Sequence, residues 1–333
     1  MIVNTSFQDA VVVGLRDVTP TVREIRLRPL EGAARAHEPG AHLQVRIAPE
    51  SPGGAALARH YSLVGEPDGQ DWRIAVKQQP DGRGGSRAMW RLAVGERLSV
   101  SEPQNHFALD LRAPAYLLVA GGIGVTPLVM MAERLARRGL PVRMVYAARG
   151  ANELAFADEL RGVLGDRLAT FASDAGQRID LAAEIAALAP GGQLYTCGPV
   201  PMLEAIKSAW QAAGRLLADL RFETFGSGGS LAAQTFKVKV PRQGKEIVVP
   251  VGASLLEALE LAGVETLSDC RRGECGLCAM DVIGVDGSID HRDVFLSDEE
   301  KHANTRICAC VSRAVGTLML DSAYRPDTLE AAG

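Results

Sequence analysis

Three patterns of apolar and polar positions follow one another along the chain. Up to about Arg112, short alternating segments at 22–27, 42–47 and 72–77 are interrupted by Gly and Pro. That pattern predicts an antiparallel barrel. From Ala113 the pattern becomes strand–helix alternation, with segments at 116–120, 127–138, 142–147, 153–163, 194–196 and 200–213. Alternation of this kind predicts a parallel α/β sheet. A third pattern begins after Gly226-Ser-Gly-Gly-Ser-Leu-Ala-Ala233, a flexible tether by composition. Strands at 236–240 and 246–250 form a hairpin around Arg242-Gln-Gly-Lys245. A short helix at 254–261 follows, with Ser254 as N-cap and Leu255, Leu256 and Leu259 as its apolar face, then strands near 279–283 and 317–321. The expected organisation is a barrel over 1–112, an α/β domain over 113–227, a linker over 228–233 and a small mixed domain over 234–333. No internal repeat is present.

Residues 113–132 carry no charge, which meets the length criterion for a membrane helix. Gly121, Gly122, Gly124 and Pro127 break the run. It reads instead as a buried strand, a glycine turn and a helix with Thr126 at the N-cap and Pro127 at N1. The first nine residues offer neither a basic n-region nor a long apolar core, so no signal peptide is expected. Among 333 residues, 47% are hydrophobic and 23% charged, the balance of a soluble protein of two or three domains. A net charge of −4 without a basic stripe argues against a nucleic-acid partner. From Gln234 onward, 11 Lys and Arg face 16 Asp and Glu, while the first 233 residues hold 25 against 24. The acidity is thus concentrated in the last domain. Asp298-Glu-Glu300 reads as a solvated helix start that can also steer a basic partner.

The run Asp269-Cys-Arg-Arg-Gly-Glu-Cys-Gly-Leu-Cys278 spaces Cys270, Cys275 and Cys278 as C-x4-C-x2-C, with Cys308 or Cys310 available as a fourth thiolate. This is the spacing of a plant-type [2Fe–2S] site. Gly273 and Gly276 allow the tight curl that three thiolates on one short loop require. A structural zinc site also wants four thiolates, but no second C-x2-C pair exists. Six cysteines, five of them in the last quarter, do not suit a disulfide framework. Reduced cysteines make the cytoplasm the expected compartment.

Upstream, Arg59-His-Tyr-Ser-Leu63 places Arg59 and Tyr61 on one face of an extended segment, where they can hold the phosphate and ring of one ligand. Asp81-Gly-Arg-Gly-Gly-Ser86 can form a nest of backbone N–H groups around a phosphate, at a helix start or in an ordinary turn. Gly121-Gly-Ile-Gly-Val-Thr-Pro127 follows a strand and opens a helix, the setting in which a glycine turn cradles a diphosphate, although it is not G-x-G-x-x-G. Tyr195-Thr-Cys-Gly-Pro-Val-Pro-Met202 repeats that strand–turn–helix geometry, with Cys197 at the strand end or simply buried as a small hydrophobe.

In order along the chain, these motifs, together with Phe222-Glu-Thr-Phe225 and Cys310-Val-Ser-Arg-Ala314, resemble those of the phthalate dioxygenase reductase family, within the ferredoxin–NADP reductase superfamily. The resemblance spans nearly the whole chain. It implies an antiparallel β-barrel flavin domain, an α/β parallel-sheet nicotinamide domain and a C-terminal α+β β-grasp ferredoxin domain. It implies that Arg59, His60, Tyr61 and Ser62 line the flavin with Val76 and Lys77; the family often has Thr where this chain has His60. Gly84, Gly85 and Ser86 would take the phosphate of FMN. Gly121, Gly122, Thr126, Cys197 and Gly198 would surround the nicotinamide and diphosphate, Phe225 would cover the flavin ring, and Arg149 would meet the adenosine side. Thr126, Cys197 and Phe225 would therefore stand at the reacting rings. Cys310 would join Cys270, Cys275 and Cys278 as the fourth iron ligand. NADH is expected over NADPH, because Phe171-Ala-Ser-Asp-Ala-Gly176 offers an acid rather than added cations. The implied activity passes electrons from the nicotinamide through the flavin, singly, to the cluster and on to a separate Rieske non-haem iron oxygenase. A cytochrome P450 partner is the first alternative, and a non-catalytic iron–sulfur redox module the second. A monomer free of the membrane is expected.

Overall fold

The computed structural model describes residues 6–47, 57–79, 84–225, 231 and 234–321. It forms two compact units, with the boundary between Glu223 and Thr224. Most of the glycine–serine tether lies outside the described residues.

The first unit opens with the barrel. Its long strands Phe7–Thr19, Val22–Pro29, Ala41–Ile47, Leu57–Ser62, Trp72–Lys77 and Arg97–Ser101 form one antiparallel sheet. A bridge between Leu63 and Ile74 brings the two outer strands together, so the sheet closes on itself. The alternating pattern explains which face goes in: Ile25 and Leu27 are buried while Arg26 and Arg28 are exposed. Trp72, Leu43, Val45, Ile74 and Val100 fill the interior, and Met89 of the helix Gly85–Arg91 plugs it.

The same unit continues into a parallel sheet ordered Leu168–Ala172, Val142–Ala148, Tyr116–Gly121, Gln193–Cys197, Leu220–Glu223. Its central strand is buried along its whole length, and residues Thr126 to Ala132 of the following helix are buried too. The uncharged run is therefore the dry centre of an α/β domain. Among the described residues, no helix is long and apolar enough to cross a membrane.

Two local expectations are corrected. Thr126 is not an N-cap: a 3-10 turn over Gly122–Val125 runs straight into the helix, so Val125 occupies the cap and Thr126 is the first helical residue. Its hydroxyl donates instead to the Ile123 carbonyl at 3.0 Å. The helix expected over 153–163 begins only at Ala157, because Glu153 ends a separate 3-10 turn and Phe156 adopts a left-handed conformation at φ 60°.

Barrel and sheet are tied by a ring of charges within this unit. Glu24, 2% exposed, accepts from Arg73 at 2.7 Å and Arg16 at 3.0 Å. Both guanidiniums also reach Glu159 on the helix Ala157–Leu164, at 3.0 and 2.7 Å. Removing one partner of a buried pair leaves an uncompensated charge, at a cost of about 3 kcal/mol. Arg73→Ala is accordingly expected to lower the calorimetric transition of this unit by about 6–12 °C. An unchanged transition would show that Arg16 alone suffices for Glu24.

The second unit is a mixed sheet ordered Lys245–Val249, Phe236–Val240, Arg313–Leu320, Ala279–Asp290, Arg306–Cys308. Only the pairing of Phe236–Val240 with Arg313–Leu320 is parallel. The helix Leu255–Leu261 starts at a capping box between Ser254 and Glu257 and buries Leu255, Leu256 and Leu259, as its spacing predicts. A second box between Ser297 and Glu300 starts the helix Asp298–Ala303, which buries none of its residues. This is the grasp-like sheet that the resemblance implies.

Candidate functional site

The parallel sheet reverses its strand order between Tyr116–Gly121 and Gln193–Cys197, the point at which a sheet of this type opens a crevice for ligands. Ala120 and Cys197 are register partners there, so both glycine turns emerge side by side. They touch. A Cβ on Gly121 would lie 2.6 Å from Pro199 Cδ and 3.1 Å from Gly198 Cα. A Cβ on Gly124 would lie 2.5 Å from the Cys197 carbonyl carbon and closer still to its oxygen. Only glycine permits this approach. Gly122, at φ 54°, faces open space. Cys197 and Thr126 are 1% and 2% exposed. The structure thus gathers Gly121, Gly122, Thr126, Cys197 and Gly198 where these two strands end.

Arg149 stands at the same edge, just past the strand Val142–Ala148, and its carbonyl accepts the Asp174 backbone N–H at 2.8 Å. Asp174 begins beyond the neighbouring strand end. Its carboxylate packs so near Gly150 that a Cβ there would lie 2.8 Å from Oδ2. The acid in 171–176 therefore does lie beside Arg149.

On the barrel, the strand Leu57–Ser62 pairs Arg59 with Val45 and Tyr61 with Leu43. Cross-strand partners share a face, so Arg59 and Tyr61 share one. His60 and Ser62 fall on the opposite face, opposite Gln44 and His42, and the His60 ring lies 5.0 Å from that of His42. Burial pushes the Tyr61 phenol up, which keeps it neutral. A Cβ on Gly85 would be 3.4 Å from Arg59 Cγ and Nε, so the arginine stem runs along the glycine turn. Gly84 caps the helix Gly85–Arg91 in the left-handed region, at φ 88°. A guanidinium beside a turn of backbone N–H groups fits a flavin phosphate. Gly82 and Arg83 lie outside the described residues. The Ser86 hydroxyl accepts from the Gln79 N–H at 3.0 Å. The Val76 carbonyl accepts from Trp90 Nε1 at 3.0 Å, and Lys77 Nζ lies 3.7 Å from Glu153. Phe225, in the second unit, is 43% exposed.

In the thiol loop, Arg271, Gly273 and Gly276 all have positive φ, at 52°, 77° and 74°. The Phe295 ring lies against the face of Gly276, where any side chain would collide with it. The resulting curl aims the Arg272 and Cys275 N–H groups at Cys270 Sγ, each at 3.4 Å. All six cysteines are free thiols. Those of the loop approach in pairs, Cys270 with Cys275, and Cys278 with Cys310 at 3.1 Å. Among the described residues, no three His, Cys, Asp or Glu side chains converge on one point. A two-iron cluster takes its four thiolates as two pairs, and this donor set fits it. Hydrogen bonds with the Cys308 and Cys310 thiols hold Cys278 down and push those two up. Cys308 is fully buried on its strand near Asp293 and Arg306. Cys310 receives the Gly273 N–H and lies near Cys270.

Comparison with known proteins follows the same outline. Residues 238–315 match the model of the 2Fe-2S iron-sulfur cluster binding domain. The chain is 38% identical over 94% of its length to the heme-dependent oxidative N-demethylase beta subunit of Ectopseudomonas mendocina, covering 97% of that protein. It is 38% identical over 91% of its length to the phenoxybenzoate dioxygenase subunit beta of Ectopseudomonas oleovorans, covering 92% of it. It superposes on phthalate dioxygenase reductase, a modular structure for electron transfer from pyridine nucleotides to [2Fe–2S], with a TM-score of 0.80 at 32% identity, over 95% of this chain and 98% of that one. Likeness of this extent, carried from the barrel to the thiol loop, means that the chain belongs to the phthalate dioxygenase reductase family and is an oxidoreductase that moves electrons from a pyridine nucleotide to a [2Fe–2S] centre.

Proposed function

We propose that the protein takes electrons from NADH, passes them through FMN to a [2Fe–2S] cluster and delivers them to a separate Rieske non-haem iron oxygenase. The pairing of four thiols as Cys270 with Cys275 and Cys278 with Cys310 carries this reading, because a one-electron centre needs a flavin upstream to split a hydride pair. The bound groups supply the redox chemistry. The chain supplies placement. Arg59, Gly84, Gly85 and Ser86 hold the flavin phosphate, and Tyr61 walls the ring without exchanging a proton. Gly121, Gly122 and Gly198 let the diphosphate approach the backbone, Thr126 and Cys197 floor the nicotinamide crevice, and Phe225 offers a ring to the flavin. Asp174 accepts from an adenosine ribose hydroxyl and repels a 2′-phosphate. Cys310 is the fourth iron ligand, favoured by its place beside Cys270 and the Gly273 N–H. The free thiols support a cytoplasmic protein, and we read it as a monomer.

A haem enzyme as acceptor is the second reading, favoured by the name of the N-demethylase relative. Anaerobic addition of NADH to the purified protein tests the first. Flavin and cluster bands should both bleach, more slowly with NADPH, and the reduced protein should then reduce a Rieske oxygenase. Cluster bands without flavin would reduce the protein to a redox module. Reduction of a haem partner alone would favour the second reading.

A further inference from the structure

Within the thiol-bearing unit, the candidate iron ligands come from two separate segments, the loop 270–278 and the turn at Cys310. A third segment, just ahead of the helix Asp298–Ala303, touches both. The Val294 N–H donates to the Gly273 carbonyl at 3.0 Å. A Cβ on Gly273 would lie 3.0 Å from Asp293 Cα and 3.1 Å from Asp293 Cβ, so Asp293 is seated on the bare face of the loop. On the other side, the Arg292 N–H donates to the Ser312 hydroxyl at 3.0 Å, and that hydroxyl donates to Asp293 Oδ1 at 3.1 Å. Ser312 is fully buried, and its own N–H donates to the Cys308 carbonyl at 3.0 Å, which closes the turn that carries Cys310. The second carboxylate oxygen, Oδ2, accepts the Leu296 N–H at 2.8 Å. His291 Nδ1 lies 3.8 Å from Oδ1, and the Asp293 side chain is 0% exposed. Burial would push this carboxyl up, yet hydrogen bonds from His291, Leu296 and Ser312, with the charge of Lys301, hold it below its ordinary value and ionised. Its charge reaches the thiols: Cys308 is pushed up by its bond with Cys278, by burial and then by Asp293.

We propose that Asp293 is a positioning residue for the iron–sulfur centre, whose carboxylate locks the Cys310 turn to the segment seated on Gly273 and whose charge opposes reduction of the centre. The inference rests on the cluster reading given above. Thiolates drawn from two segments hold one cluster only while the segments keep their spacing. An electron added beside a fixed buried anion is disfavoured, because a dry interior screens the repulsion poorly. A buried carboxylate with a donor on each oxygen is both rigid and charged, so one side chain does both.

Asp293→Ala, Asp293→Asn and Ser312→Ala in the full chain, loaded with flavin and cluster, test it. Release of iron to an added chelator should be at least about tenfold faster in Asp293→Ala and several-fold faster in Ser312→Ala. Asparagine keeps an acceptor for the Leu296 N–H and a polar partner for Ser312, so release from Asp293→Asn should stay within a few-fold of wild type. A redox titration then reads the charge. At the potential where the wild-type cluster is half reduced, Asp293→Asn should stand about ten to one reduced, a rise in midpoint of about 59 mV for one electron. Ser312→Ala, which keeps the charge, should show no such rise. Deuterium exchange at the Leu296 amide should be about tenfold faster in Asp293→Ala, with no metal needed for the reading. Wild-type iron release from Asp293→Ala overturns the inference. So does a wild-type midpoint in Asp293→Asn, because the carboxylate is then only structural. If neither Asp293 variant holds a cluster, Ser312→Ala is read instead, and wild-type release there overturns the inference. A wild type that carries no iron and sulfide overturns the electron-transfer reading instead, and the exchange arm still decides whether Asp293 holds its segment.

Discussion

Cys310→Ala is expected to abolish the iron–sulfur cluster, while Cys308→Ala leaves it in place. The two residues are two positions apart, and both thiols hydrogen-bond with Cys278, so proximity to that sulfur does not separate them. Their other neighbours do. Cys310 lies by Cys270 and receives the Gly273 N–H, whereas Cys308, fully buried in the same core, is held in the strand Arg306–Cys308. Drawing Cys308 out to an iron would break that packing and the strand pairing of Cys308 with Ala279. Its replacement by alanine should cost about 1 kcal/mol of stability and no metal. Iron and sulfide content per chain decides the matter. A Cys308 variant without cluster, or a Cys310 variant with one, would reverse the assignment.

Gly124→Ala should cost the second largest loss. The new Cβ would meet backbone rather than a movable side chain, with the Cys197 carbonyl carbon at 2.5 Å and Gly198 N at 2.9 Å. One of the two turns must shift, and a displacement near 1 Å at a reacting centre costs about 100-fold in rate. Flavin reduction by NADH should therefore fall by about that factor, with KM changing less than kcat. Reduction by dithionite, which needs no nucleotide crevice, should be untouched. NADH bleaching within a few-fold of wild type would show that the close contact is incidental.

The legible parts of this molecule were those where local chemistry and periodicity agree. The alternating barrel strands, the buried strand ending in Gly121 and Gly122, and the Ser254 cap each carry a signal within a few residues. The strands Leu168–Ala172 and Arg306–Cys308 and the helix Leu181–Ala187 carry almost none, being short, and the first is only half-buried. Tertiary pairing makes them, not propensity. The start of the helix after Phe156 turns on one left-handed residue that is not glycine, which no pattern announces. At the site, the motifs place residues along the chain but not their facing. Strand register sets His60 and Ser62 on the face opposite Arg59 and Tyr61.

The dry strand Tyr116–Gly121 also has a history in time. One of its two neighbours, Gln193–Cys197, emerges from the ribosome only after three helices and two further strands have been made. At about 5–20 residues per second, that is roughly 4–15 s during which the uncharged segment lacks one side of its sheet. Long-range parallel pairing is slow in any case. Synthesis in heated or crowded cells should therefore lose chains to aggregation at this stage, before either cofactor becomes relevant, and yield should respond to chaperones more than to iron supply.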